Sequence, residues 1–193
     1  MALVIKKSVL EIIRSVVKEI WKEEISKDYE RKFLFKEDTL KNALYYHLRT
    51  KLGDGFLREN SLRIYTEYYI EGYKIDLVIA EVDVEKASKV HLRECVTDLA
   101  IAMELKYKSG AVDDLYYQDV QKVVDYIADL PYPNCHYYLG FIQEVPFEGF
   151  GEFSWLDKLN KRQRAKVEGR VTELIQFWRP ETGEPDWRVI EHK

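Results

Sequence analysis

Two apolar runs, each interrupted by charge, constrain this chain more than any other feature. Asp76 sits in Ile75-Asp76-Leu77-Val78-Ile79-Ala80. Glu104 and Lys106 sit in Leu99-Ala100-Ile101-Ala102-Met103-Glu104-Leu105-Lys106-Tyr107. Such runs read as strands of a buried sheet, where an unpaired charge is costly. Successive side chains on a strand point to opposite faces. Ile75, Leu77 and Ile79 then share one face of the first run, and Asp76, Val78 and Ala80 the other. In the second run Leu99, Ile101, Met103 and Leu105 oppose Ala100, Ala102, Glu104 and Lys106. If the two strands are neighbours, Asp76, Glu104 and Lys106 meet on one side, where the alanines leave room for a ligand or a packing helix.

The surrounding elements predict one α/β domain over residues 1–193. Apolar residues at helical spacing (Val9, Leu10, Ile13, Val17, Ile20, Trp21) mark a long helix over 5–33, an extension ahead of the core. A second helix follows over 37–52, with Glu37 and Asp38 favouring its first turn, and Gly53-Asp54-Gly55 ends it. Strands at 62–70 and 74–81 flank a turn at Glu71-Gly72-Tyr73. Residues 82–97 read as a loop with room for a short helix, 98–107 as a third strand, and 111–130 as a helix with Val112, Leu115, Tyr116, Val120, Val123, Val124 and Ile127 inward. A fourth strand covers 135–142. Ser154-Trp155-Leu156-Asp157 has the form of a capping box, and 170–178 and 187–191 form a last strand pair about the turn 180–183.

Composition narrows the function classes. The chain has 193 residues, a net charge of −4 and two cysteines. That charge argues against a broad electrostatic grip on duplex DNA. Any nucleic-acid contact is expected to be local or metal-dependent. Two cysteines are too few for a disulfide framework, so a reducing cytoplasm is expected. The N-terminal stretch is broken by Lys6, Lys7, Glu11, Arg14 and Lys18, which suits an amphipathic helix rather than a signal peptide or a membrane span.

The three charged residues have a chemistry in common. Asp and Glu oxygens are hard ligands for Mg²⁺, which accepts one or two protein carboxylates and keeps several waters. The ion polarises a phosphate and lowers the pKa of bound water. A lysine two residues from the glutamate is placed to orient that water or to stabilise charge on phosphorus.

With these residues in this order, the chain resembles the PD-(D/E)xK nuclease superfamily, the fold of many restriction endonucleases. The superfamily's order is an acid-bearing helix, a hairpin carrying Asp, a strand carrying E-x-K, a helix and another strand. Here those are Glu37, Asp76, Glu104-Leu105-Lys106, the helix from 111 and the strand at 135, so the resemblance covers residues 37–142. Residues 143–193 would add a helix and a strand pair. The resemblance implies a restriction-endonuclease-like mixed central sheet flanked by helices. It also implies a Mg²⁺-dependent nuclease hydrolysing DNA, with Mn²⁺ as a substitute ion. Asp76, Glu104 and the Leu105 carbonyl would hold the metal, Lys106 would be catalytic, and Glu37 an auxiliary acid. Gln118 and Gln121 stand where related enzymes carry a supporting polar residue. Ile75 replaces the proline of the motif's name. The Gln-x-x-x-Tyr of the RecB-like subgroup is not reproduced, since Gln118 is followed at four by Lys122 and Gln121 precedes Tyr126 by five.

Other readings compete. Alternation alone also produces salt-bridged stripes on exposed sheet faces, and a nuclease fold without activity would serve as a module binding nucleic acid or a protein partner. Glu67 is read as a solvated ion-pair partner, with a supporting role in the site as the alternative. His91, Cys95, Cys135 and His136 lack the spacing of a zinc site. The basic run Lys158, Lys161, Arg162, Arg164, Lys166, Arg170 reads equally as a phosphate-binding strip or a solvated helix face. The N-terminal helix is expected to pack on its own domain, with pairing of two copies into a homodimer as the competing role.

Overall fold

The computed structural model describes residues 5–110, 113–146, 153–179 and 181–192. Val112 and the prolyl position of the final turn fall outside these ranges. Helix α1 (Lys7–Ile20) continues through a π-helical turn (Trp21–Ile25) into α2 (Ser26–Glu30). The reason lies in the sequence. Ile13, Val17, Trp21, Ile25 and Tyr29 recur at every fourth residue, and all are buried. An α-helix turns about 100° per residue, so such a row drifts by roughly 40° per step. The wider π turn takes up part of that drift and holds the row on one face. Trp21 then meets Trp187 edge-on, with ring centroids 5.2 Å apart. The apolar face of this rod is buried against the chain's own sheet.

Helix α3 (Glu37–Glu59) is kinked where Gly53 adopts φ 77°. The stop expected at Gly53 is therefore an interruption, after which the helix resumes and brings Leu57 into the core. The strands are β1 (Leu62–Ile70), β2 (Tyr73–Val82), β3 (Val96–Lys108), β4 (His136–Pro146), β5 (Val171–Trp178) and β6 (Pro185–Glu191). They form one six-stranded sheet in chain order. The central β3, β4 and β5 are parallel, and the outer pairings are antiparallel. Helix α4 (Asp113–Asp129) connects the parallel pair β3 and β4, and α5 (Lys161–Val167) lies in the connection from β4 to β5. The capping box at Ser154 is present. Its hydroxyl accepts from the Leu156 amide at 3.0 Å, and Asp157 accepts from the Ser154 amide at 3.1 Å. Residues 82–97, read as loop, end β2, hold two short 3₁₀ turns and begin β3.

The sheet separates two cores. Leu77, Ile79, Ile101, Met103 and Leu105 face α1, α2 and α3. Val78, Ala80, Ala102, Leu139 and Phe141 face α4 and α5. Strict alternation fails at two places. Pairing passes from Ile79↔Ile101 to Ala80↔Leu99, which leaves Ala100 as an extra residue. This bulge exchanges the expected faces of Leu99 and Ala100. Ile75, expected beside Leu77, joins the α4 side instead. It lies next to the one position where β1–β2 pairing lapses, between Glu67 and Asp76. Glu67 has φ 55° there, so the pleat is broken.

No helix among the described residues is long and apolar enough to cross a membrane.

Candidate active site

The site lies where the sheet forks. Pairing between β2 and β3 runs as far as Leu77↔Met103 and then stops, while β3 stays paired with β4 as far as Lys108↔Gln143. At the fork the Asp76 carboxylate takes over from a main-chain acceptor. The Leu105 amide donates to its Oδ2 at 2.9 Å. A strand residue's N–H and C=O point to the same edge, so the Leu105 carbonyl is also directed toward the β2 side. Leu105 in turn packs against Gly140, where an added Cβ would stand 2.6 Å from Leu105 Cδ2. Only a residue without a side chain lets β4 support the fork so closely.

Around the fork the charges interlock. Glu104 is 1% exposed. Its Oε1 accepts from the Tyr126 hydroxyl at 2.8 Å and its Oε2 from Lys122 Nζ at 3.1 Å. Lys122 also donates to Asp119 Oδ1 at 2.6 Å. The other oxygen of Asp119 lies 2.9 Å from Lys106 Nζ, an ion contact rather than an aligned hydrogen bond. Lys106 reaches Glu37 at 3.1 Å. On the far side Lys41 lies 3.6 Å from Asp76 and pairs with Glu67, which also takes Lys74.

Glu104, Lys106 and Glu37 therefore belong to one chain of ion pairs through Lys122 and Asp119, and Asp76 adjoins it through the Leu105 amide. Gln118, expected to support them, is exposed on α4. The residues of that helix that reach Glu104 are Lys122 and Tyr126, four apart on one helical face, with Asp119 one turn before Lys122. The signal for Asp119 was present in the sequence. It stands three residues after Tyr116 and four before Val123, inside the apolar stripe, and it is 1% exposed. Lys41, one turn after Glu37, is not singled out by the sequence pattern, and it is buried. Glu67, expected as a solvated ion-pair partner, pairs with Lys41 and Lys74 at the partly exposed rim of the site.

The electrostatics follow from burial. Glu104 is pushed up to about 7, first by loss of solvent and then by the neighbouring Asp76 charge. Asp76 also lies above the usual carboxylate range, because its burial outweighs the Leu105 amide and Lys41. Burial pulls Lys106 down, but Asp119 and Glu37 together outweigh it, and the net shift is upward. Lys106 is thus an ammonium at neutral pH.

Two hard carboxylates repelling one another in a buried fork suit a divalent cation, whose charge would relieve that repulsion. Their oxygens already take Lys41, Leu105, Tyr126 and Lys122, so a cation would compete with two lysines. Among the described residues no three His, Cys, Asp or Glu side chains are arranged to hold a metal by themselves. Asp76, Glu104 and the Leu105 carbonyl would fill part of a shell, with water or a substrate phosphate completing it. No protein-family model matches the chain, and a search of curated proteins finds no match to it.

Proposed function

We propose that this chain is a metal-dependent nuclease of the restriction-endonuclease-like fold, hydrolysing phosphodiester bonds of DNA. The observation that carries the reading is the convergence of Asp76, Glu104 and Lys106 at the fork between β2 and β3, with Glu37 and Asp119 on Lys106. A bound Mg²⁺ would supply Lewis-acid polarisation and a water of lowered pKa. Asp76 and Glu104 would hold the ion, and the Leu105 amide fixes the Asp76 carboxylate for that task. Lys106, kept cationic by Asp119 and Glu37, is suited to hydrogen-bond a phosphate oxygen and stabilise developing negative charge. It is not suited to removing a proton at neutral pH. Tyr126 and Lys122 orient Glu104. Two buried, free cysteines suit a reducing cytoplasm.

A second reading has its own observation. Lys41 and Lys122 already partner the carboxylates, as they would in an inactive module that binds nucleic acid or a protein without metal. Wild type, Glu104→Ala and Lys106→Ala are compared for Mn²⁺ binding and for cleavage of single- and double-stranded DNA. Mn²⁺ binding lost in Glu104→Ala, with cleavage lost in both variants while they stay folded, supports the enzyme. Cleavage surviving in both variants refutes it, and absence of both Mn²⁺ binding and cleavage in wild type supports the inactive module.

A further inference from the structure

The loop between α2 and α3 reads Arg31-Lys32-Phe33-Leu34-Phe35-Lys36, two aromatic rings flanked by positive charge. Its main chain is tied at both ends. Lys32 takes φ 63° at the helix end, the Phe33 amide bonds Asp28 O at 2.9 Å and the Lys32 amide bonds Tyr29 O at 3.0 Å. This pair of bonds is a Schellman motif. On the other side the amides of Phe35 and Lys36 both donate to Thr39 Oγ1, at 2.8 and 3.0 Å. Leu34 is buried and anchors the middle. In a Schellman motif the residue at the Phe33 position commonly packs back on its own helix. Here Phe33 is 66% exposed and Phe35 81% exposed, the two most exposed large apolar side chains among the described residues. A fixed backbone holding two rings outward has not simply failed to pack.

We infer that Phe33 and Phe35 form a stacking platform for unpaired nucleobases, with Arg31 and Lys32 placed for the adjoining phosphates. The inference rests on the nucleic-acid part of the proposed function and narrows its substrate to strands with unpaired bases near the scissile phosphate. Three features select this occupant. The rings follow directly on two exposed cations, Arg31 and Lys32, so apolar contact and phosphate attraction come from one strip. The strip is continuous with the site, because Glu37, two residues after Phe35, contacts Lys106. A regular duplex offers a flat ring no free base face without unstacking a step, whereas a single strand offers one at every nucleotide.

The full-length protein is titrated in EDTA against fluorescein-labelled oligothymidine and a blunt duplex of equal length, and binding is read by anisotropy. Oligothymidine is expected to bind more tightly. Phe35→Ser should weaken it by about tenfold, as expected for one lost stacking contact, and Phe35→Trp should restore it, with duplex binding unchanged by either. Sedimentation of the same proteins reads self-association. The inference is overturned if wild type does not bind oligothymidine, if duplex binds as tightly, if the serine variant loses both ligands equally, or if the rings instead hold a dimer that Phe33→Ser and Phe35→Ser dissolve. The two proposals separate cleanly. Ring-dependent binding without Mn²⁺ binding or cleavage retains the platform and removes the enzyme, and metal-dependent cleavage without ring dependence does the reverse.

Discussion

Replacing Glu104 by Gln should make the metal-free protein more stable at pH 8 relative to wild type than it is at pH 5. The folded protein holds this carboxyl near 7 against an ordinary value of 4.5. The folded state therefore keeps a proton that the unfolded state gives up between those values, and wild-type stability falls as pH rises through the window. Over pH 5 to 8 the cost from Glu104 amounts to about 2 to 3 kcal/mol. The group is almost fully buried, so solvent screening removes little of this. Gln keeps an oxygen for the Tyr126 hydroxyl but turns its amide toward Lys122, which costs stability at every pH. The pH-dependent part of the difference is unaffected by that loss. It is also separated from His136, which burial pulls down to about 3 and whose titration raises stability with pH in both proteins alike. Urea denaturation of both proteins in EDTA at pH 5, 6, 7 and 8 measures the difference directly. A difference that stays constant with pH, or that turns against the variant as pH rises, would refute burial as the source of the Glu104 shift.

Two further outcomes follow from the same geometry. Gly140→Ala should lower stability by about 1 to 3 kcal/mol in urea denaturation, because the new methyl group meets Leu105 at 2.6 Å in a packed interior. Lys122→Met should destabilise the metal-free protein by leaving Glu104 and Asp119 less compensated, yet it should gain more in melting temperature from added Mn²⁺ than wild type does, because one competitor for Glu104 is gone.

What could be read from the chain in advance was whatever depends on a local period. Alternation in two strands is enough to bring Asp76, Glu104 and Lys106 to one place, since a period of two leaves a side chain only two faces to choose from. It fails at Leu99, where a bulge inserts a residue, and at Ile75, beside a lapse in pairing that leaves the register unchanged, and neither place carries a proline or glycine to mark it. The lysines of the site were hidden for a different reason. Lys41 and Lys122 stand on helices among other charges, and a helical wheel cannot tell a lysine facing a carboxylate on the sheet from one facing water. Asp119 was visible in principle, as an acid inside an apolar stripe. Gln118 was placed by likeness to other helices, and on this one the face it occupies is the outer one. The π turn follows from a spacing of four that could be read as easily as a spacing of three and four, but only the sheet beneath decides which residues must stay in contact.

The bond from the Leu105 amide to Asp76 makes one carboxylate, the proposed metal ligand, also a strut between two strands. Protonating Asp76, or drawing it toward a cation, must alter the pull on the main chain between Glu104 and Lys106. Leu105 is braced from behind by Gly140, with Trp21 beyond it, so little of that change can be absorbed by backward movement. It passes instead along β3 to the residues on either side, which are the other acid and the lysine of the site. The fork thus acts as a short lever, through which the charge state of one residue bears on the aim of the next two.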